Sequence, residues 1–187
     1  TMTPEQAVRI GAIGPTARAS GLVRDVRVNA PYAGYVDFPV HIVTAQAGDL
    51  LARTIVRVNE LFESIRLIRL VLEQLPPGEI SVRMPRRLPE GVTVSRVEAP
   101  RGELFYYMKS AGSDRPGRVK VRTPSMCNWA TVMSVAVGHK LADMPMLLAG
   151  IDPCFSCSDR SITVVRPGNE QHMTWEALRQ YGIGYYR

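Results

Sequence analysis

Residues 49–75, DLLARTIVRVNELFESIRLIRLVLEQL, predict one long amphipathic helix. Asp49 is the expected N-cap, and Pro76-Pro77-Gly78 ends the pattern because proline cannot continue a helix. Apolar residues recur at steps of three and four: Leu51, Ile55, Val58, Phe62, Ile65, Ile68, Leu72 and Leu75. The charged face carries opposite charges at helical spacings, which predicts a solvated or subunit-facing surface: Arg53, Arg57, Glu60, Glu63, Arg66, Arg69 and Glu73.

Before this helix, residues 3–11 predict a short capped helix, and residues 14–35 predict an irregular segment. Tyr32 and Tyr35 of that segment either lie along a partner surface or plug the surface of the subdomain. After the helix, a period of two predicts a small antiparallel sheet with a hairpin tip at 111–117. Its four expected strands are Ile80–Met84, Val92–Val97, Gly102–Lys109 and Arg118–Arg122.

Residues 126–138 again have helical spacing, and residues 139–150 predict a second helix or a kinked extension. A strand over 161–166 and a short helix over 174–181 follow. The expected fold class is α+β, mainly helical, with long core helices and a small antiparallel β-subdomain. The expected division is a mainly helical region over residues 1–77, a β-subdomain over 78–123, a helix leading to the cysteine motif over 124–160, and a tail over 161–187.

The composition is that of a globular chain of 187 residues, 45% of them hydrophobic, with a net charge of +6 carried mostly by arginine. Such a charge suits nucleic acid, an acidic protein or an anionic cofactor. Nucleic acid is disfavoured because the arginines lie in strand-like stretches without interleaved aromatic residues. No run of 18 apolar residues and no signal peptide is found, so a membrane role would be peripheral. We expect a reducing compartment and no disulfides.

Two of the three cysteines lie in GIDPCFSCSDR, residues 150–160, as a Cys-x-x-Cys pair at Cys154 and Cys157. Such a pair can hold a metal, act as a redox couple or occur by chance. A closed zinc site needs four ligands, and no second pair follows. A thioredoxin-like couple is expected at a helix start after a strand, whereas this pair follows an apolar segment and an Asp-Pro turn. The pattern therefore favours half of a metal site whose other ligands come from elsewhere.

A family resemblance extends over nearly the whole chain. The motifs Glu98-Ala-Pro-Arg-Gly102, Arg122-Thr-Pro-Ser125 with Asn128-Trp129, Gly138-His139 with Leu141-Ala-Asp143, and Asp152-Pro-Cys-x-x-Cys157 resemble, in order and spacing, the large catalytic subunit of nickel-iron hydrogenases. More closely, they resemble the energy-converting, complex I-related branch, of the formate hydrogenlyase and Ech types. The segments Gly14–Gly21, Pro31–Tyr35 and the long helix resemble the 49 kDa quinone-reducing subunit of complex I. That relative has lost the cysteine motif, so its retention favours the hydrogenase branch.

The resemblance implies a nickel-iron centre, with carbon monoxide and cyanide on the iron, held by four cysteines. Cys154 would be a terminal nickel ligand, and Cys157 would bridge nickel and iron. Arg101 would lie over the open metal position and pair with Asp152. Pro124 and Ser125 would flank the cyanide-bearing iron. By their chemistry alone, Arg101 suits an ordinary salt bridge, Ser125 a helix N-cap, and Cys127 a small buried hydrophobic residue.

The family's first Cys-x-x-Cys pair has no counterpart here, so the chain resembles the C-terminal half of a large subunit. The resemblance implies as partners a chain carrying the first pair, an iron-sulfur small subunit with its clusters, and membrane subunits. The expected location is the cytoplasmic side of a membrane, and the expected reaction is reversible reduction of two protons to hydrogen. A maturation cut would follow Arg160. The alternatives are a complex I-like quinone or ferredoxin oxidoreductase, a sulfur-reducing relative, or a scaffold subunit with empty or zinc-bound cysteines.

Overall fold

The computed structural model describes residues 1–158, 162–166 and 168–185. The chain forms two compact units, Thr1–Pro153 and Cys154–Arg187. The fourfold division expected from the sequence stays a prediction. Arg160, the expected cleavage boundary, and Ser161, the expected start of a strand, lie outside the described residues.

The first unit begins with three short helices, α1 (Pro4–Arg9), α2 (Gly14–Arg18) and α3 (Val26–Asn29), and a 3-10 turn at Ala33–Val36. Helix α1 confirms the predicted capped helix, because Thr3 accepts the N–H of Gln6 and Pro4 is the first helical residue. The irregular segment predicted over 14–35 is wrong, since most of its residues lie in short helical turns.

The two tyrosines of this segment pack on their own subdomain. The Tyr32 and Tyr35 rings lie edge to face, with centroids 5.0 Å apart. The Tyr32 hydroxyl accepts the backbone N–H of Glu98 at 3.1 Å. These contacts favour the alternative in which the two tyrosines cover the surface of their own subdomain over the one in which they lie along a partner.

The long helix α4 (Leu50–Gln74) has the predicted bounds, and Asp49 caps it by accepting the N–H of Ala52 at 2.7 Å. Its burial differs from the prediction. The buried residues are Ala52, Arg53, Val56, Glu63 and Leu67. The apolar stripe predicted from the sequence is exposed on the opposite side of the helix: Leu51, Ile55, Val58, Phe62, Ile65, Ile68 and Leu72. The predicted solvated charged face is therefore wrong for Arg53 and Glu63, which pack inside the unit.

The core of the first unit consists of two clusters of small and medium side chains. One joins the region of α1 and α2 to residues 135 and 147 near the end of this unit. Its members are Met2, Ala7, Ala12, Ala17, Val135 and Leu147. The other packs α2 on α4 through Ala19, Ala52 and Val56. Small residues on α2 let its backbone approach α4 closely, which brings the charged side chains of both helices together.

The sheet has three antiparallel strands, β1 (Gly91–Ala99), β2 (Gly102–Ser110) and β3 (Pro116–Arg122), with β2 in the middle. Val94 lies opposite Tyr107, and Met108 opposite Val119. The predicted hairpin tip is confirmed, but the strand predicted over 80–84 is wrong. Ile80 is fully exposed there, and the nearby prolines at 85 and 89 lack the N–H groups that a strand donates to a neighbour.

Helix α5 (Pro124–Ala136) confirms the predicted helix. Residues 139–150 form a 3-10 turn at Leu141–Asp143 and then α6 (Met144–Ala149), whose first turn contains Pro145. The second unit contains α7 (Phe155–Ser158), a hairpin of β4 (Ile162–Arg166) and β5 (Asn169–Met173), and α8 (Trp175–Tyr185). Strand β4 and α8 were expected. Strand β5 was not, because its sequence NEQHM lacks β-branched residues.

The α+β fold class, mainly helical with a small antiparallel sheet, is confirmed. Of the expected long core helices, the described portion of the chain contains one of 25 residues, α4, and one of 13 residues, α5. Within the described ranges, no helix combines the length and the apolar character needed to cross a bilayer.

Candidate functional site

Arg101 and Asp152, predicted as partners, are in direct contact in the first unit. Arg101 lies in the tight turn between β1 and β2, and Asp152 follows α6. The Arg101 NH2 group donates to the Asp152 carboxylate at 3.2 Å, and its Nε–H donates to the Asp152 carbonyl oxygen. The planar guanidinium thus contacts both the side chain and the backbone of Asp152, a geometry that a lysine cannot reproduce.

Asp152 has an unusual backbone and a second cationic neighbour. Its φ of +50° lies in the left-handed region, which Asp tolerates better than most residues. Arg57 of α4 lies 3.5 Å from the other carboxylate oxygen of Asp152 and donates to the Gly150 carbonyl at 3.4 Å. Burial lowers the pKa of Arg57, and the Asp152 carboxylate acts in the opposite direction. Two arginines therefore fix the turn that leads to the cysteine motif.

Asn128 of α5 fixes the backbone of the Arg101 turn. Its side-chain amide donates to the Arg101 carbonyl at 3.0 Å and accepts the Ile13 N–H at 3.1 Å, and the residue is fully buried. The start of α2 packs so closely on the turn that a Cβ on Gly14 would lie 2.5 Å from the Arg101 carbonyl oxygen. Only glycine at position 14 permits this approach.

Arg18 of α2 is the centre of a buried cluster of charges. Its Nε donates to Glu60 at 2.7 Å and its NH1 to Glu98 at 2.8 Å, while Asp25 lies 3.6 Å away. Burial opposes the charge of Arg18, but Glu60 and Glu98 outweigh it and raise its pKa. Burial raises the pKa of the Glu98 carboxyl and the neighbouring Asp25 acts in the same direction, while the Arg18 guanidinium opposes the shift.

A cavity of about 360 Å³ adjoins this cluster and the Asp152 turn. Its lining includes the carboxylates of Glu60, Glu98 and Asp152 and the guanidinium groups of Arg18 and Arg57. The cavity is therefore polar and of mixed charge, which suits water and proton-bearing groups better than an apolar ligand.

Pro124 and Ser125, predicted to flank a cofactor, are buried in the first turn of α5. Ser125 is completely inaccessible to solvent. The N-cap of α5 is Thr123, so the alternative of Ser125 as an N-cap is wrong. Ser125 lies three residues before Asn128 in α5, so the two residues lie on the same side of the helix.

Cys154 and Cys157 lie in the second unit, at and within the one-turn helix α7. The Cys154 Sγ lies 3.1 Å from the Ser156 hydroxyl, and the Cys154 carbonyl accepts the Ser158 N–H at 3.1 Å. Both thiols are half-buried, and neither forms a disulfide. The pair thus does lie at a helix start, contrary to expectation, although no strand leads into that helix. Cys127 is half-buried in α5 rather than fully enclosed.

The donor set fits two positions of a four-thiolate metal site. Two cysteines three residues apart on a tight turn provide two soft thiolates, as nickel and iron prefer. Within the ranges that the structure describes, no group of three or more His, Cys, Asp or Glu side chains converges on one point. The roles assigned to Arg101, Asp152, Pro124, Ser125, Cys154 and Cys157 stay predictions.

Sequence reasoning missed Arg57, Asn128 and the Arg18 cluster as groups that build this site. Arg57 and Glu60 were assigned to a solvated helix face, because charged residues at helical spacing give no sign of burial. Glu98 and Asn128 belong to the motifs that carry the family resemblance, but no role in holding the turn was assigned to either residue. Asn128 contacts residues 27 and 115 positions away, which no local pattern reveals.

The family model described as the respiratory-chain NADH dehydrogenase 49 kDa subunit matches residues 1–88 and 83–160. A carbon monoxide-induced hydrogenase of Rhodospirillum rubrum is 40% identical over 159 residues, which cover 85% of this chain and 44% of that protein. An NADH-quinone oxidoreductase subunit of Dehalococcoides mccartyi is 40% identical over 158 residues, which cover 83% of this chain and 43% of that protein.

A solved structure, that of the membrane-bound sulfane sulfur reductase, an archaeal respiratory membrane complex, matches with a TM-score of 0.78 and 34% identity. The match covers 85% of this chain and 45% of the chain in that structure. The chain therefore spans less than half the length of these relatives.

Proposed function

The chain belongs to the 49 kDa subunit family of respiratory-chain NADH dehydrogenase, and from this premise we propose that it supplies half of a nickel-iron active site. The enzyme would be a membrane-associated, energy-converting hydrogenase that interconverts hydrogen with two protons and two electrons. The relatives named as hydrogenases support this proposal. The single observation that carries it is the Arg101–Asp152 contact, which lies two residues before the retained Cys-x-x-Cys pair.

Cys154 and Cys157 would hold the centre, and the other two thiolates would come from outside residues 1–187. A nickel-iron centre held there, with carbon monoxide and cyanide on its iron, would supply the two-electron chemistry of hydrogen. Arg101 provides a fixed cation whose position is set by Asp152 and Asn128. Ser125 provides a buried hydroxyl beside that turn. Such groups act through position and charge and need no movement of their own.

The proposed partners follow from the names of the relatives. The first cysteine pair would lie outside residues 1–187, an iron-sulfur subunit would carry electrons, and membrane subunits would anchor the assembly. The proposed location is peripheral, on the cytoplasmic side of the membrane. Relatives such as the membrane-bound hydrogenase of Pyrococcus furiosus support an assembly of this kind.

A second candidate is a complex I-like quinone or ferredoxin oxidoreductase, or a sulfur reductase. Relatives named as quinone oxidoreductase subunits, and the sulfane sulfur reductase structure, favour it. A scaffold subunit with empty or zinc-bound cysteines is the third. These alternatives predict that the isolated complex reduces quinone or sulfane sulfur, or neither, without consuming or producing hydrogen.

The proposal is tested by replacing Arg101 with lysine in the assembled complex. We expect hydrogen turnover to fall by about 10²-fold while nickel and iron stay bound, because lysine keeps the charge but cannot contact Asp152 at two points. Arg115→Lys is the matched control, since Arg115 lies exposed in the loop between β2 and β3, at the opposite end of the sheet from the Arg101 turn. Unchanged turnover in Arg101→Lys would make Arg101 structural only.

A further inference from the structure

The positive charge of the chain is concentrated on the sheet and the loop before it. Residues 79–122 contain ten Lys and Arg against five Asp and Glu, a net charge of +5 out of the chain's +6. The hydrogenase proposal uses only Arg101 among these cations. The remaining positive charge therefore needs another explanation.

The register of the sheet places the five cations of its strands, half of the ten, on one face. Side chains alternate between the two faces of a strand, so residues opposite one another share a face. We define the basic face by the residues of this set: Val92, Val94 and Arg96 of β1, Phe105, Tyr107 and Lys109 of β2, and Arg118, Lys120 and Arg122 of β3. The other face is partly covered, since Ser110 donates to the Leu88 carbonyl, and Leu88 and Met108 line the same small cavity.

The outer end of the basic face is formed by Lys109, Arg118 and Lys120. All three are exposed, and among the described residues none of them has an ion-pair partner. Lys109 lies directly opposite Arg118 in the ladder. Like charges in that position repel each other and weaken a sheet. An isolated sheet gains nothing from this arrangement, whereas an external anionic surface would turn the repulsion into attraction.

We propose that the basic face is a docking surface for an acidic protein subunit. Val92 and Val94 are 59% and 54% exposed beside the cations, so the face combines apolar and cationic groups as protein interfaces do. Phe105 and Tyr107 are half-buried in the sheet and present no open stacking platform to nucleic-acid bases. The structural relative is a component of a multisubunit respiratory complex, which provides protein neighbours.

Zero-length carbodiimide cross-linking of the isolated complex tests this inference, because it joins a lysine amine only to a carboxylate in contact with it. The chain has three lysines, Lys109, Lys120 and Lys140, and all are exposed. We expect Lys109 and Lys120 to couple to Asp or Glu of one other subunit several-fold more than Lys140 does. Cross-links from all three lysines alike, or only within the chain, would overturn the proposal.

A charge-neutral variant provides the second test. In Lys109→Gln/Arg118→Gln/Lys120→Gln, the cross-linked partner should dissociate about tenfold more readily as salt is raised. The matched control Arg9→Gln/Arg69→Gln/Lys140→Gln removes three exposed cations from helices and turns and should keep wild-type affinity. The proposal of a protein partner would be overturned by two results together. The purified chain would bind vesicles containing phosphatidylserine or a single-stranded oligonucleotide, and the sheet variant would keep its affinity for the partner.

Discussion

Both ends of the three-stranded sheet carry charged side chains, but only those at the inner end are paired with groups from other regions of the chain. At the inner end, Glu98 and Arg101 are held by Arg18, Asn128 and Asp152 from other regions of the chain. At the outer end, Lys109, Arg118 and Lys120 lie in the open without ion-pair partners among the described residues. One sheet thus contains a charge cluster that the fold satisfies itself and one that it leaves for a neighbour.

This difference separates two uses of charge. Burying a charged pair costs desolvation free energy, and removing one member of the pair strongly destabilises the fold. Buried pairs therefore hold their neighbours in a fixed geometry. Exposed charges contribute little to stability but determine which surfaces associate. The inner end therefore corresponds to the proposed active-site turn, and the outer end to the proposed docking surface.

The largest effect is expected from Glu98→Ala at the inner end. It leaves Arg18 buried without one of its carboxylates, and we expect a loss of about 3–5 kcal/mol in the free energy of unfolding. Urea unfolding followed by tryptophan fluorescence measures it. Glu90→Ala, at an exposed position just before the same strand, is the control and should have little effect. A loss below about 1 kcal/mol for Glu98→Ala would place the pair among ordinary surface pairs.

Asn128→Leu should have the next largest effect. The substitution leaves the partly buried Ile13 N–H and Arg101 carbonyl without their shared partner, at a cost of about 1–3 kcal/mol. Hydrogen exchange of the Ile13 amide reports the lost bond directly. Asn59→Leu, at an exposed position of α4, is the matched control. Wild-type protection of Ile13 in the Asn128 variant would show that another group holds the turn.

Glu63 tests the same contrast through pH. Hydrogen bonds from Arg66 hold the pKa of Glu63 at about 2, below its usual value of 4.5. A carboxylate with a lowered folded-state pKa contributes stability above pH 4.5 and loses it as pH falls toward 2. The free energy of unfolding of Glu63→Gln should therefore fall less steeply with acid than that of the wild type. The effect should be smaller than the loss that Glu98→Ala causes at neutral pH, because Arg66 is partly exposed.

Glu73→Gln is the comparison for the pH experiment, since Glu73 lies exposed on the same helix. Its variant should keep the acid dependence of the wild type. If the free energy of unfolding of Glu63→Gln fell with acid as steeply as that of the wild type, the Arg66 contact would not persist in solution.

The smallest effect, with the opposite sign, is expected at the outer end. Arg118→Gln removes the like-charge pair with Lys109 and should stabilise the chain by about 0.2–1 kcal/mol. Arg122→Gln, which loses the ion pair with Glu103, should instead cost about 0–1 kcal/mol. Destabilisation by Arg118→Gln would indicate that the fold itself uses this cation.

The sequence was informative where the chemistry is local. Asp49 and the Pro76-Pro77 pair determine where α4 begins and ends, and both bounds were predicted. Hydrophobic periodicity identified an amphipathic helix but not the face that packs in this chain, because periodicity does not specify which neighbour covers a stripe. The prediction of a strand over 80–84 was wrong for a similar reason. A strand requires a neighbouring strand to pair with, and a local alternation of apolar and polar residues does not provide one.

The candidate site was only partly predictable. Arg101 and Asp152 were paired through a family resemblance, and the structure has that contact. Arg57 and Asn128 were not found, because the residues they hold are distant in the chain and charged or amide side chains on a helix look solvent-exposed in sequence. The Arg18 cluster depends on small residues that let α2 approach α4, which is a property of packing.

The most direct measurement of the central claim is the nickel content of the isolated complex, together with infrared bands of carbon monoxide and cyanide bound to iron. The wild type should contain stoichiometric nickel and show these bands. Cys157→Ser should lose both, while Cys127→Ser, at a half-buried thiol of α5, should keep both. A wild-type complex without nickel or these bands, or a Cys157→Ser complex that retains both, would contradict the account.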